Sequence, residues 1–209
     1  MKDPENTLTI AIPKGFLHEE SYKYLSSLGI IFSLQDSKRE LVYFDKKNNV
    51  KGLLVRPSDV SVYVEHGSAD IGIVGLDLLK EQNPDVVKLK DLKFGNCKLI
   101  LAVKKSSPHK TVKDLPANCK IATKFTKLTT DFIHRKGLSA EVIKLYGSVE
   151  LAPIVELSDA IIDLVATGKT LRANNLIPIE TILESHAILI ANPVAFKFKK
   201  TRMSIFLNC

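Results

Sequence analysis

Cysteine is scarce, and no two cysteines stand close together. Cys97, Cys119 and Cys209 are odd in number and widely spaced, which excludes a disulfide framework or a Cys-x-x-Cys zinc site and fits a reducing cytoplasm. His18, His66, His109, His134 and His186 show no His-Glu-x-x-His or other ligand spacing, so no metal centre is expected. No apolar run approaches the roughly 18 residues of a membrane helix. The polar start Met1–Asn6 and the short apolar stretch Leu8–Ile12 do not read as a signal peptide. Low-complexity segments and strong internal repeats are absent. There is also no helix-turn-helix pattern or aromatic-interleaved RNA signature, so the formal charge of +7 is not read as nucleic-acid binding. Dispersed basic residues instead suit a protein that handles polyphosphates. The expectation is a cytoplasmic protein with no membrane or nucleic-acid partner.

What is present is a core-forming α/β pattern. At 209 residues with 45% apolar content, the chain can form one large domain or two small ones. Leu8–Ile12 reads as a buried parallel strand, turned by Pro13-Lys14-Gly15 into a helix over 16–28. Val50–Val55 is a second strand, after which Ser58 and Asp59 are placed to cap a helix running to His66. Ile71–Val74 is a third strand, and Gly75 opens a helix over 76–81. The pattern restarts with strands over 98–103, 121–123 and 141–144 and a helix over 129–136. Gly147-Ser148 is read as starting a helix to about Glu156, followed by a strand over 160–165. Ala187–Ala191 is a final buried strand, and 196–207 a basic terminal helix. This alternation predicts open α/β sheets whose ligand sites lie at the carboxyl ends of strands. Two lobes with the chain crossing back near its end are expected: 1–94 plus 186–209 as lobe I, and 95–185 as lobe II.

The chemistry concentrates in Asp159–Thr170. A strand carrying Asp159 and Asp163 runs into Ala166-Thr167-Gly168-Lys169-Thr170, a turn that can aim backbone N–H groups and two hydroxyls at one phosphate. Gly168 permits close backbone approach and Lys169 adds a cation. The turn ends like a Walker A loop, but that motif needs glycine at position 163, which is aspartate. The better reading is a sugar-5-phosphate cradle with a carboxylate upstream for ribose hydroxyls. In Gly147–Glu150, Ser148 and Glu150 either form an anion site or simply cap a helix. Arg56 is either a ligand or a strand cap, and Asp70 a ligand or a turn residue.

Seven segments taken in order resemble the ATP phosphoribosyltransferases. They are Ile-Pro-Lys-Gly (12–15), Val-Arg-Pro-Ser-Asp-Val (55–60), Tyr-Val-Glu-His-Gly (63–67), Ala-Asp-Ile-Gly-Ile-Val-Gly-Leu-Asp (69–77), Ile-Ala-Thr-Lys-Phe (121–125), Gly-Ser-Val-Glu-Leu-Ala-Pro (147–153) and 159–171. The resemblance implies the first step of histidine biosynthesis. ATP and 5-phosphoribosyl-1-pyrophosphate would condense to N1-(5-phosphoribosyl)-ATP and pyrophosphate, with Mg2+ carried on the substrate. It implies a two-lobe fold of the type II periplasmic binding proteins with a ligand cleft between the lobes. Length matches the short form, without a C-terminal regulatory domain. That form works with a histidyl-tRNA synthetase-like regulatory subunit in a hetero-oligomer, and a homodimer of this chain is expected.

By the same resemblance, Asp159, Asp163, Ala166, Thr167, Gly168, Lys169 and Thr170 would bind phosphoribosyl pyrophosphate. Lys14, Gly15, Arg56, Asp70, Gly75 and Glu150 would bind ATP. Lys14 and Arg56 would also be catalytic, stabilising charge on the leaving pyrophosphate, and Lys124 would line the site. One departure stands out: the family usually has arginine after Pro-Lys-Gly, where this chain has Phe16, with Arg39 a candidate substitute cation. The alternative is a non-catalytic module on the same fold, binding a small anion or effector.

Overall fold

The computed structural model describes residues 7–32 and 41–207. The chain divides into two compact units. The first comprises Met1–Leu79, Asn83–Gly95 and His186–Cys209, and the second Lys80–Gln82 and Asn96–Ser185.

The elements run β1 (Leu8–Pro13), α1 (His18–Ser27), β2 (Val42–Asp45), β3 (Val50–Val55), α2 (Val60–Glu65), β4 (Ile71–Gly75), α3 (Leu76–Gln82) and β5 (Val87–Asp91). They continue with β6 (Cys97–Lys104), β7 (Cys119–Thr123), α4 (Thr126–Lys136), β8 (Ala140–Lys144), α5 (Leu151–Ile154), β9 (Ala160–Val165) and α6 (Lys169–Ala173). β10 (Leu176–Ser185), β11 (Ala187–Ala191), α7 (Pro193–Phe198) and α8 (Lys200–Leu207) complete the described chain.

The first unit holds a six-stranded sheet in the order β2-β3-β1-β4-β11-β5. Its central strands are apolar on both faces, and period two sorts them. Leu8, Ile10 and Ile12 of β1, Ile71 and Ile73 of β4, and Leu189 of β11 enter one core with Leu25, Met203 and Phe206. Ala11, Val74, Ile188 and Ile190 face the other way, with Val60 and Val64 of α2. Each fully buried Leu or Ile contributes about 1.5–3 kcal/mol. α2 lies so close that a Cβ at Gly72 would come within 2.8 Å of the Val60 and Val64 methyls, so only glycine fits there. Parallel pairing of β1 with β3 and β4 agrees with the α/β pattern, whereas β2, β5 and β11 join antiparallel.

The second unit holds a five-stranded sheet in the order β10-β6-β9-β7-β8. β7 runs parallel to both β8 and β9, and β6 antiparallel to β9 and β10. Ile100, Ala102, Ala122, Ile161 and Leu171 form its core.

Several local expectations need correction. Residues 15–17 form a 3-10 turn before α1 rather than its first turn. A 3-10 turn over Pro57–Asp59 leads into α2, the Ser58 hydroxyl donates to Asp59 Oδ1 at 2.9 Å, and Asp59 holds the N-cap position of α2 without a capping bond from its side chain. The helix expected from Ser148 shrinks to the single turn of α5, because Ser148 takes φ +48 and Glu156 φ +61, left-handed values that break helix on either side. The terminal helix is two helices. Asn192 caps the first, its Oδ1 accepting from the Val194 and Ala195 amides while Nδ2 donates to the Val64 and Glu65 carbonyls. The tail's cations are not all solvated: Lys199 and Arg202 bond into the first unit.

Candidate functional site

Strand register brings the first unit's basic residues together. Pro13 pairs with Val55, and Ile10 with Ile71. Continuing these registers, one step past Pro13–Val55 and four steps past Ile10–Ile71, Lys14, Arg56 and Gly75 fall at the same level on three adjacent parallel strands, about 4.8 Å apart from strand to strand. Lys14 continues the ladder, its amide donating to the Val55 carbonyl at 2.8 Å. Arg56 is exposed and Lys14 half-buried, so both side chains are available to an anion at the carboxyl ends of β1 and β3. Gly15 takes φ +74, and a Cβ there would meet nothing within 4 Å; the backbone turns sharply beside open space. Phe16 follows, 63% exposed, an unusual position for a phenyl ring.

Asp70 does not join this group. It precedes β4, at the opposite end of the sheet, roughly 16 Å from Gly75 at the usual rise per residue. It is buried, and its Oδ2 accepts from the Thr9 amide at 2.7 Å and from Lys199 Nζ at 3.0 Å. These bonds use its charge to anchor the tail, which makes Asp70 a structural residue. Arg39 lies outside the described residues.

In the second unit, the pairing of Thr123 with Ile162 sets Lys124 beside Asp163. A cavity of about 310 Å³ opens there, lined by Lys124, Gly147, Ser148, Glu150, Asp163 and Thr170 together with apolar residues of β9 and α6. Asp163 Oδ1 lies 3.3 Å from Lys124 Nζ and accepts from the Leu164 amide at 2.9 Å. Beyond β9 the chain is exposed at Ala166, Thr167, Lys169 and Thr170. Gly168 takes φ +71, and the first amides of α6 have no intrahelical acceptor, as at any helix start. Glu150 thus belongs to the same cavity as Asp163, not to the group around Lys14.

Asp159 is set apart as well. It sits at the start of β9, roughly 13 Å from Asp163 along the strand, and its Oδ2 accepts from the Lys120 amide at 2.8 Å. That bond closes the entry to β9 and leaves Asp163 as the strand's carboxylate in the cavity. Nearby Cys119 is buried. Burial, and after it the Asp159 charge, push its thiol pKa up, so it stays protonated and is no nucleophile.

Sequence reasoning passed over Arg172. Its Nη2 donates to the Thr167 carbonyl at 3.1 Å, folding a guanidinium over the turn. The signal was its position one helical turn after Gly168, whose carbonyl accepts the Arg172 amide. Among the described residues, no group of three or more His, Cys, Asp or Glu side chains could hold a metal ion, and no helix is long and apolar enough to cross a membrane.

A family model described as ATP phosphoribosyltransferase matches residues 56–208. The chain is 50% identical over 199 residues to the ATP phosphoribosyltransferase of Synechococcus elongatus, covering 94% of this chain and 91% of that one. It is 44% identical over 203 residues to that of Acaryochloris marina, covering 96% and 93%. Among solved structures it is similar to the ATP phosphoribosyl transferase (HisG:HisZ) complex from Thermotoga maritima, with a TM-score of 0.81 and 35% identity over 97% of this chain and 96% of that one. The alkanesulfonate-binding protein SsuA from Xanthomonas axonopodis pv. citri superposes at a TM-score of 0.63 with 15% identity, covering 98% and 73%. That likeness shows the fold alone, the α/β fold of the periplasmic binding proteins.

Proposed function

This chain belongs to the ATP phosphoribosyltransferase family, and from that premise we propose how its residues divide the reaction. The protein is an ATP phosphoribosyltransferase of histidine biosynthesis. It joins adenine N1 of ATP to ribose C1 of 5-phosphoribosyl-1-pyrophosphate and releases pyrophosphate. The receptor alternative has only fold likeness at 15% identity behind it, and fold carries no function.

The second unit takes the phosphoribosyl group. The turn Ala166–Thr170 receives the 5-phosphate on its amides and hydroxyls, and Asp163 accepts from the ribose hydroxyls. One observation carries this half: the turn leaves β9 directly beside Asp163 and shares its cavity, with Thr170 on the wall. The first unit takes ATP, with Lys14, Gly15, Arg56 and Gly75 at one end of its sheet.

As the C1–oxygen bond breaks, positive charge develops on the ribose and negative charge on pyrophosphate. Lys14 and Arg56 offset the latter electrostatically. No protein nucleophile is required, since adenine N1 attacks. Mg2+ bound to the substrate would supply further charge neutralisation. Asp163 and Glu150 are the cavity's carboxylates that could meet it.

The Thermotoga maritima relative is a HisG:HisZ complex. We infer that this chain likewise works in a hetero-oligomer, and we propose for it a homodimer joined by a histidyl-tRNA synthetase-like regulatory subunit, in the cytoplasm. The test is pyrophosphate release from ATP, phosphoribosyl pyrophosphate and Mg2+, with and without that subunit. Turnover that requires both substrates is expected; none under either condition would overturn the reading.

A further inference from the structure

Lys124 is the one cation among the residues that line the second unit's cavity, a lining that also includes the carboxylates Asp163 and Glu150. Without it, a polyanionic substrate would meet two like charges and no counter-charge on the wall. Lys169 of the turn and Arg172 of α6 are not on this lining.

The position is built. Thr123 is fully buried, and its hydroxyl accepts from the Phe125 amide at 2.9 Å, which fixes the backbone around Lys124. Phe125 is buried, and Lys124 Nζ stands 5.4 Å from its ring centroid. The ammonium tip, by contrast, is loosely held. Its 3.3 Å contact with Asp163 joins side chains 43% and 20% exposed, the regime in which an ion pair contributes little. A phosphoryl group carries more charge than one carboxylate and forms stronger charge-assisted bonds. Asp163 keeps the Leu164 amide when the lysine departs.

We propose that Lys124 is a substrate-binding residue that exchanges its Asp163 partner for a phosphoryl oxygen of phosphoribosyl pyrophosphate, freeing Asp163 for the ribose hydroxyls. This rests on the reading of the cavity as the phosphoribosyl site. The substrate's own charge thus exposes the carboxylate that then holds its sugar, so an uncharged ribose would not open the pair.

The experiment is calorimetric titration of the full chain and its Lys124→Met and Lys124→Arg variants with phosphoribosyl pyrophosphate and Mg2+. Lys124→Met should bind about tenfold more weakly, the loss expected for a charge-assisted bond, with a shallower salt dependence. Lys124→Arg should recover most of the affinity, and ATP binding should be unchanged in both. Titrations with ribose 5-phosphate and with pyrophosphate identify which phosphoryl group the lysine meets, since only that ligand should lose affinity. A folded Lys124→Met that binds all three ligands as the wild type does would overturn the exchange. Failure of the wild-type chain to bind phosphoribosyl pyrophosphate would instead overturn the site reading beneath it.

Discussion

The Lys199 ammonium lies 3.0 Å from Asp70 Oδ2 and also donates to the Thr7 carbonyl at 2.8 Å. This pair ties the junction of α7 and α8 to the entry of β1 and β4. Asp70→Ala leaves the Thr9 amide without its acceptor and the Lys199 ammonium with the Thr7 carbonyl but no counter-charge, and should cost about 2–3 kcal/mol in urea unfolding. The KM for ATP should hold. A raised KM at unchanged stability would restore Asp70 to the ATP site.

Gly168→Ala tests the phosphate turn. A Cβ there would meet Arg172 Nη1 at 3.1 Å, the end of a flexible side chain that can move aside. The φ of +71 cannot be relieved that way, so strain of about 1–2 kcal/mol decides the outcome. Weaker binding of phosphoribosyl pyrophosphate is expected in calorimetry, with ATP binding retained.

Phe16→Arg restores the cation usual in the family. Phe16 is 63% exposed, so stability should change by no more than about 0.5 kcal/mol. The KM for ATP should fall about tenfold, as for one added charge-assisted bond. Steady-state kinetics at saturating phosphoribosyl pyrophosphate checks this, and an unchanged KM shows that position 16 does not reach the nucleotide.

Acid should weaken the first unit through Asp45. Burial opposes its charge, but bonds from the Asn48 amide and side chain, then from the Ile31 and Lys47 amides, outweigh that and hold its pKa below the ordinary 3.8. A depressed folded-state pKa contributes stability that is present above the unfolded value. It is lost as pH falls below about 4 and through the folded value. Asp45→Asn should therefore be less stable than wild type at pH 7, with the gap narrowing toward pH 3 in urea titrations.

The most legible strands are the central ones of the first sheet, where β4 and β11 are apolar throughout and β1 is interrupted only by Thr9. β3, β9 and even the edge strand β8 are also matched nearly to the residue. The overlooked strands β2, β5 and β10 all lie at sheet edges. β2 leaves Val42 and Phe44 exposed, β5 alternates Val-Lys-Leu-Lys-Asp, and β10 contains Pro178 and two register shifts. Edge strands escape the demand for continuous hydrophobicity, so their pattern is diluted. In the candidate site, the order of a strand carboxylate followed by a Thr-Gly-Lys-Thr turn was legible as local structure, and β9 does carry Asp163 into an exposed turn whose Thr170 lines the same cavity; their ligand roles are the proposal made above. Asp70 and Asp159 were misplaced because carboxylates that anchor strand starts look the same in sequence as carboxylates that meet ligands. Only their partners, Lys199 and the Lys120 amide, tell them apart.

Synthesis on the ribosome meets the two sheets unequally. Every strand of the second sheet lies within Asn96–Ser185, so it can close on the nascent chain soon after β10 emerges. The first sheet must wait, because β11 sits between β4 and β5 and is translated last. Until then β4, apolar on both faces, has an unfilled edge. Growing polypeptides should therefore expose their stickiest surface between translation of Gly75 and of Ala191, the interval in which chaperone capture matters most.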